Sequence, residues 1–310
     1  MNKITHDNQH YFKISQQNPE PHLDVNYFFL EKHPELKAYI KGVKDIKEIL
    51  ITIKRLKKAK EKSEIIEKYF QKLFEAFNQK FSNCSELGCF VNACDATRDL
   101  AQKDYNAFKK ITDFFIEKRL IDEKAPENWI QALLDSNSSR RKGDLGEKKL
   151  IKILKSFGFA EVKSWEEFAN KKNCVARFSS DIFSIKEVKA KLKLRIPFKK
   201  QGKKPDLLIK CSKGIFILEA KHLNVGGGEQ DKQISELIDI LRLRKERENI
   251  FFVSFLDGTY SNILLSDKIN KKAKKRLKQY REINRYLRQN KQNYWLNTAG
   301  FKALFTDLGI

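Results

Sequence analysis

The sequence predicts an α/β protein: a mostly helical segment, residues 1–134, followed by a basic α/β segment, residues 145–310. Three observations support this class. Residues 1–134 carry apolar side chains at helical spacing with little Pro or Gly. After residue 145 the patterns run helix, paired strands, helix, strand and helix, which is the order of an α/β core. Between them, residues 135–144 are small, polar and charged, and predict a linker.

The helical segment shows no chemistry of its own. Its clearest periodic run recurs every three or four residues and consists of Ile65, Ile66, Phe70, Leu73 and Phe77. Such spacing gives one apolar helix face that must be covered. We expect this segment to serve recognition or dimer contacts.

The α/β segment opens with a helix over residues 145–157, which Gly158 ends. Residues 192–196 alternate strictly between apolar and basic side chains, which predicts a strand. Residues 206–210 and 215–222 read as two further strands, and the Ser212-Lys213-Gly214 turn joins them into a hairpin.

The remaining elements follow a triple-glycine loop at residues 226–228. An amphipathic helix comes next, with Ile234, Leu237, Ile238 and Leu241 on its apolar face. Residues 250–255 predict a buried strand, residues 267–292 a long basic helix, and the C-terminal residues a short helix. The loop lacks the Gly-Lys-Ser/Thr ending of a phosphate-binding loop, so we expect no nucleotide cofactor.

The positive charge is concentrated in the second half. The chain has 63 basic and 40 acidic side chains, a net charge of +23, of which residues 1–137 carry +2 and residues 138–310 carry +21. A local excess of this size indicates a polyanionic partner, and no strongly apolar helix face accompanies it, so nucleic acid is favoured over membrane. Five cysteines and an N-terminus without an apolar run indicate a reducing, cytoplasmic location.

Three charged residues stand out at the hairpin. Glu219 and Lys221 are two apart at the end of an apolar strand, so they leave one face, and Asp206 opens the paired strand. Two carboxylates beside an ammonium suit a hard divalent cation such as Mg²⁺, which completes its coordination with water and phosphate. The lysine can orient or deprotonate an attacking water and offset charge on the phosphorus.

Pro205-Asp206, twelve residues and then Glu219-Ala220-Lys221 resembles the motif of the PD-(D/E)xK nuclease superfamily, which also places it on a hairpin. The resemblance implies that Asp206 and Glu219 bind the metal, that the Ala220 carbonyl is a further ligand and that Lys221 is the catalytic lysine. Members often add an acid on the preceding helix, where Glu147 stands here. The resemblance covers residues 140–260 and implies a restriction-endonuclease-like core, in which a mixed sheet is flanked by helices.

Several of these residues have an equally good structural interpretation. Asp144 and Glu147 also fit a capping box, in which Glu147 bonds back to the start of its helix. Gln230 and Gln233 follow the glycine loop as candidate DNA contacts or as solvated helix residues. Asp181 reads as a loop or cap residue, Cys84, Cys89 and Cys94 as buried helical thiols, and His222 as a candidate phosphate contact.

Basic side chains surround the motif and predict contacts to DNA phosphates. Those before the hairpin are Lys191, Lys193, Arg195, Lys203 and Lys204. Those on the late helix stack around an apolar stripe and include Lys274, Lys275, Lys278, Arg281, Arg285 and Arg288.

These features predict a Mg²⁺-dependent endonuclease that cuts double-stranded DNA, most like a type II restriction enzyme. The resemblance implies a homodimer. A structure-selective repair or junction nuclease and a non-catalytic nucleic-acid-binding protein remain as alternatives.

Overall fold

The computed structural model describes residues 4–136, 139–194, 204–244, 247–266 and 274–308, with side chains for all of these except 139–141. The chain divides into two compact units. One contains Met1–Phe28 and Ser139–Ile310, and the other contains Phe29–Ser138.

The helices of the described residues are, in chain order, α1 (Asn8–Gln17), α2 (Leu36–Lys58), α3 (Ser63–Phe77), α4 (Glu86–Phe90), α5 (Arg98–Lys103), α6 (Tyr105–Lys118), α7 (Glu127–Ser136), α8 (Ser139–Ser156), α9 (Trp165–Asn170), α10 (Ile185–Leu192), α11 (Gly228–Leu241), α12 (Thr259–Leu265), α13 (Lys274–Gln289) and α14 (Thr298–Asp307). The strands are β1 (Ala160–Glu161), β2 (Cys174–Arg177), β3 (Leu207–Cys211), β4 (Gly214–His222), β5 (Ile250–Asp257) and β6 (Asn293–Leu296). Short 3₁₀ turns cover Val25–Tyr27, Lys80–Ser82 and Val91–Ala93.

The first unit is an α/β structure built on a six-stranded mixed sheet in the order β1-β2-β3-β4-β5-β6. Strands β2, β3 and β4 form an antiparallel meander, with Leu207 opposite Leu218 in the β3–β4 pair. Strands β5 and β6 then add in parallel beside β4, and β1 pairs in parallel with β2. The parallel connections are made by helices, as crossover connections require.

Helices cover both faces of the sheet. On one face, α1, α8 and α14 pack against the odd-numbered residues of β3 and the even-numbered residues of β4 in an apolar cluster that includes Tyr11, Leu154, Phe216 and Phe305. On the other face, α9, α10 and α11 cover Leu208, Ile217 and Phe252, while α11, α12 and α13 enclose Trp295. Burial on both faces explains why β3, β4 and β5 read as nearly continuous apolar runs.

The second unit is a helical domain with its own core. Leu50, Phe70, Leu73, Phe77 and Phe108 are at most 1% exposed and pack together from α2, α3 and α6. Phe70, Leu73 and Phe77 of the periodic run of α3 therefore lie on a buried helix face, as their spacing predicts, whereas Ile65 at the start of the run is 40% exposed.

Several predicted elements of the α/β segment are confirmed. The two hairpin strands and the strand at residue 250 match their predicted bounds within one or two residues, and the predicted amphipathic helix after the glycine loop is α11. Gly158 ends α8 with φ +80°, a conformation that glycine adopts without strain. The described part of the basic helix, α13, runs over Lys274–Gln289.

Three predictions need correction. Residues 139–144 are not a linker but the first turns of α8, which contain strong helix formers and no proline. Residues 185–192 are helix α10, so the alternation at 192–196 does not begin a strand. The Ser184 side chain caps α10 by accepting from the Glu187 amide at 3.3 Å, and Lys193 ends it in a left-handed conformation. Residues 195 and 196 lie outside the described part.

The third correction concerns the domain boundary. Residues 4–28 belong to the α/β unit and not to the helical domain. Tyr11 and Phe12 of α1 are buried in the two cores of that unit. The sequence of a helix as short as α1 indicates which of its faces is apolar, but it does not indicate which apolar core that face packs against.

Candidate active site at the end of the hairpin

Asp206 lies where β3 begins, beside the last residues of β4. Its amide donates to the Leu218 carbonyl at 2.9 Å, and its Oδ2 accepts from the Ala220 amide at 2.6 Å. The carboxylate oxygen Oδ2 thus accepts a main-chain hydrogen bond from β4 just before β3 begins. The pKa of Asp206 is raised to about 6. Burial is the largest cause, the Lys221 charge opposes it, and the Glu147 charge contributes to the increase.

Glu219 and Lys221 leave β4 on one face and pair directly. The Lys221 Nζ lies 2.6 Å from Glu219 Oε1, and the two side chains are 22% and 12% exposed. Burial lowers the pKa of Lys221, but Glu219 and Asp206 outweigh it and the pKa is raised overall. Lys221 is therefore an ammonium at neutral pH, which can bind and orient an oxygen but cannot take up a proton.

Glu147 faces the same group of charges from α8. Burial raises its pKa, Arg177 lowers it, and Asp144 and Glu219 raise it. Arg177, at the end of β2, lies 3.3 Å from Glu147 and 3.0 Å from Asp144. Because α8 begins at Ser139, Asp144 and Glu147 are interior helix residues, so the capping-box interpretation is wrong.

Two residues of this site carry no clear signal in the sequence. No sequence pattern indicates a role for Arg177, but its guanidinium forms ion pairs with Asp144 and Glu147 of α8. Glu236 of α11 interacts electrostatically with Lys221 and raises its pKa. In the sequence, only its spacing indicates that Glu236 lies on the inward side of α11. It comes three residues after Gln233 and four residues before the buried Ile240, so the three share one side of the helix.

The predicted DNA-contacting residues are partly described. Gln230 and Gln233 are half-buried at the start of α11, and the Gln230 Oε1 lies 2.7 Å from the position that a Cβ would take at Gly227. Lys204 is exposed and lowers the pKa of both Asp206 and Glu147.

The other basic candidates fall on α10 or beyond it. Lys191 and Lys193 are exposed at the end of α10, not on a strand, and the Lys191 Nζ lies 5.8 Å from the Trp165 ring centre. Arg195 and Lys203 lie outside the described residues.

A buried charge network lies behind the motif, on the opposite face of β4. The Lys149 Nζ is 2.7 Å from Asp257 Oδ2, 2.7 Å from Asp24 Oδ2 and 3.8 Å from Glu20 Oε2. The side chains of Lys149, Glu20 and Asp257 are at most 4% exposed. Burial raises the pKa of Glu20 against the effect of Lys149. Sequence reasoning missed this network because its members are scattered over residues 20–257.

His222 joins this network and is not available as a simple phosphate contact. Its Nδ1 lies 2.8 Å from Asp257 Oδ1, and its ring stacks on Tyr27 with centres 3.6 Å apart. The Tyr27 hydroxyl donates to Asp257 Oδ2 at 2.8 Å. Burial is the largest cause of the raised pKa of Tyr27, and the negative charge of Asp257 is the next largest.

The remaining candidates behave as local structure or as ordinary thiols. Asp181 is exposed, and its pKa is lowered by hydrogen bonds within its own loop, from the Ser179 side chain first. The prediction of buried helical thiols is wrong for all three cysteines: Cys84 is buried but lies in the turn before α4, Cys89 is in α4 but exposed, and Cys94 is half-buried outside any helix.

The carboxylates do not form a closed metal cage. Among the residues that the structure describes, Glu147, Asp206 and Glu219 do not bring three ligand oxygens within 4.8 Å of one another, whereas Glu20, Asp24 and Asp257 do. In the second group the Lys149 ammonium already supplies the positive charge. The hairpin carboxylates instead suit a cation that takes one or two protein oxygens and keeps several waters, as Mg²⁺ does.

No family model, curated protein or solved structure matches this chain. Within the described ranges, no helix has both the length and the apolar character needed to cross a membrane.

Proposed function

We propose that the chain is a Mg²⁺-dependent nuclease of the PD-(D/E)xK type that hydrolyses phosphodiester bonds in double-stranded DNA. The observation that carries the proposal is the hairpin end, where Asp206 is held on the Ala220 amide at 2.6 Å beside the Glu219–Lys221 pair. Glu147 on the preceding helix and Glu236 on the following one both interact electrostatically with this group. Clustered charges with perturbed pKa values at a strand end are typical of functional sites.

The donor set fits a hard cation. Asp206 and Glu219 would hold Mg²⁺ through carboxylate oxygens, with the Ala220 carbonyl as a further candidate ligand. When bound, the ion supplies a Lewis acid for the phosphoryl oxygen and lowers the pKa of a bound water. The residues must first exchange partners, because Glu219 is bonded to Lys221.

Lys221 then acts as a cation. Released from Glu219, its ammonium donates hydrogen bonds to the attacking water or to a phosphate oxygen that gains charge in the transition state. Its raised pKa supports stabilisation and orientation over proton removal. Arg177 offsets the charge of Glu147 and limits the repulsion among the acids.

The positive half of the chain supplies the attraction for a polyanion. We further propose that cleavage is sequence-specific, as in a type II restriction enzyme acting as a homodimer. A structure-selective nuclease is the alternative within the class, and a non-catalytic binding protein is the alternative outside it.

The test is an incubation of purified protein with long mixed-sequence DNA in Mg²⁺ or in EDTA, followed by electrophoresis. Discrete bands that disappear in EDTA are expected. Branched DNA cut in place of linear DNA would identify the structure-selective alternative. Binding without cleavage of either substrate would contradict the nuclease proposal.

A further inference from the structure

A second group of potential metal ligands lies far along the chain from the hairpin. His6 and His10, at the start of α1, face Asp307, the last residue of α14, and their ligand atoms all lie within 4.8 Å of one another. His6 Nε2 is 4.0 Å from Asp307 Oδ2, and the two imidazole rings are stacked with centres 4.0 Å apart.

The fold fixes where these side chains stand. Asp7 caps α1 by accepting from the His10 amide at 3.0 Å, which sets His6 just before the helix and His10 in its first turn. Helices α1 and α14 approach closely at Gly300, where an added Cβ would lie 2.8 Å from the Tyr11 carbonyl oxygen. The ends that carry the ligands are thus held beside each other by packed backbone.

The carboxylate of the group is oriented from behind. The hydroxyl of Tyr11, a residue that is 0% exposed, donates to Asp307 Oδ2 at 3.1 Å. Metal-binding carboxylates are commonly held in this way, because an outer hydrogen bond fixes the ring or carboxylate for the ion. Thr5 adds a bond to the Asp307 carbonyl at 3.3 Å.

We propose that His6, His10 and Asp307 bind a divalent transition-metal ion, with Zn²⁺ as the fitting ion, and that the ion links the start of α1 to the end of α14. Two imidazoles and one carboxylate are ligands for zinc and not for Mg²⁺, which takes oxygen. Tetrahedral zinc with bonds of about 2.0–2.1 Å separates its ligand atoms by roughly 3.3 Å. The His6–Asp307 pair at 4.0 Å and the remaining pairs, all within 4.8 Å, reach this separation when the two stacked rings rotate so that their nitrogens converge.

Water completes the coordination. The His6 and Asp307 side chains are 46% and 30% exposed, so the ion would be reached from solvent and keep an open position. Exposed ligands also make the rotation of the stacked rings inexpensive. The site is independent of the hairpin carboxylates, so it stands or falls apart from the proposed nuclease activity.

The test is calorimetric titration of Zn²⁺ into the full-length, reduced protein in a buffer that contains Mg²⁺. One Zn²⁺ per chain is expected, with an affinity lowered at least about tenfold in His10→Ala and in Asp307→Asn, and about tenfold in Tyr11→Phe. His22→Ala, which removes an exposed histidine elsewhere in the N-terminal segment, should leave the affinity unchanged. Far-UV circular dichroism checks that each variant is folded, and His6→Ala replaces His10→Ala if that variant is not.

Unchanged zinc affinity in His6→Ala and Asp307→Asn would overturn the proposal. So would loss of binding in Cys89→Ser alone, which would assign the ion to the exposed thiol. Mg²⁺-dependent DNA cleavage by the His6 and Asp307 variants should equal that of the wild type, so failure of the zinc site is distinguishable from failure of the nuclease.

Discussion

The Nδ1 of His222 lies 2.8 Å from Asp257 Oδ1, across the parallel pair of β4 and β5. Asn224 fixes the tautomer, because its Oδ1 accepts from the Thr259 amide and its Nδ2 therefore faces His222 Nε2 at 3.3 Å. His222 thus donates through Nδ1 to Asp257, which is bonded in turn to Lys149. Because His222 directly follows Lys221, the end of the strand that carries the motif is tied to a buried charge network.

Replacing the central cation of this network should destabilise the protein strongly. Lys149→Met keeps an unbranched side chain one atom shorter but leaves Glu20, Asp24 and Asp257 without their counter-charge. Removal of one partner from a buried ion pair costs roughly 3–5 kcal/mol. Urea unfolding measures the change in the free energy of unfolding.

The neighbouring Lys148 provides the matched control. Its side chain is 57% exposed and pairs with Asp144 one turn earlier, so Lys148→Met should change stability by less than about 0.5 kcal/mol. Equal stability of the two variants would show that the Lys149 network contributes nothing to the fold.

Lys221→Ala should abolish DNA cleavage while folding and DNA binding persist. The variant removes the ammonium that is proposed to act on the phosphate after its release from Glu219, but it retains Asp206 and Glu219. Cleavage rates in Mg²⁺ and binding in EDTA are the measurements. Lys213→Ala, in the turn at the other end of the hairpin, is the control and should cut normally. Normal cutting by Lys221→Ala would remove this lysine from the mechanism.

Asp206→Asn should lose Mg²⁺-dependent cleavage and yet stabilise the metal-free protein above pH 6. The pKa of Asp206 is raised from 3.8 to about 6, so the folded protein pays for ionising this carboxylate as the pH rises through that range. The amide keeps an oxygen for the Ala220 N–H and carries no charge. The expected gain at pH 8 in EDTA is on the order of 3 kcal/mol, from about 1.4 kcal/mol for each pH unit between 3.8 and about 6.

The pH dependence distinguishes this effect from a general change in packing. Below pH 4 both side chains are neutral, so the difference in unfolding free energy between the wild type and Asp206→Asn should disappear. A constant difference from pH 4 to pH 8 would contradict the electrostatic origin, and normal turnover by the variant would exclude Asp206 as a metal ligand.

The sequence predicts the hairpin well because local signals specify it. Two apolar runs joined by a Ser-Lys-Gly turn predict β3 and β4, and the observed ends of both strands differ from the predicted ends by at most one residue. Asp206, Glu219 and Lys221 lie on these two strands, so their proximity follows from short-range pattern alone. The same holds for α11, whose apolar positions are all buried.

Long-range relationships could not be predicted in the same way. Arg177 meets Glu147 across 30 residues and Lys149 meets Asp257 across 108, and no periodic pattern encodes such pairs. The strand expected at residues 192–196 does not begin at residue 192 for another reason, since the Ser184–Glu187 cap starts a helix that continues to Leu192 and ends at Lys193. The capping signal was present in the sequence and outweighs the alternation physically.

Glu147→Gln and Asp144→Asn should have opposite effects on stability at pH 8. Burial raises the pKa of Glu147, so its ionised form is a cost that the amide removes. Burial acts to raise the pKa of Asp144, but the charges and hydrogen bonds of Lys148 and Arg177 outweigh burial, so the pKa is lowered overall. The ionised form of Asp144 therefore stabilises the fold, and the Asn side chain of the variant loses that contribution. Urea unfolding in EDTA gives both signs.

Cleavage assays of the same two variants test the role of Glu147. Both residues contact Arg177, so a loss of activity in Glu147→Gln but not in Asp144→Asn assigns Glu147 to the metal site and not to the anchoring of α8. Equal cleavage by the two variants would give Glu147 a structural role alone.

Helix α13 should contribute a sequence-independent part of DNA binding. Arg281, Arg285 and Arg288 lie on one exposed side of the helix, where a groove of about 550 Å³ is lined by these residues with Tyr280 and Asn284. In the described part of the chain, Arg281 and Arg288 have no carboxylate partner within ion-pair distance. Their charge is therefore available to phosphates, and each phosphate contact releases a condensed counterion.

Replacing all three arginines by Gln should lower the slope of log affinity against log salt by about 2.7, from about 0.9 for each contact to duplex DNA. Fluorescence anisotropy with a labelled duplex in EDTA measures it for several sequences, and the loss should be equal for all of them, since phosphate contacts carry no sequence information. The control replaces Lys54, Lys58 and Lys62, three exposed cations of the nearly neutral helical segment, and should leave the slope unchanged. If the arginine variant kept the wild-type slope, the basic residues around the hairpin would account for the attraction of DNA, because they are the other concentration of charge in this half of the chain.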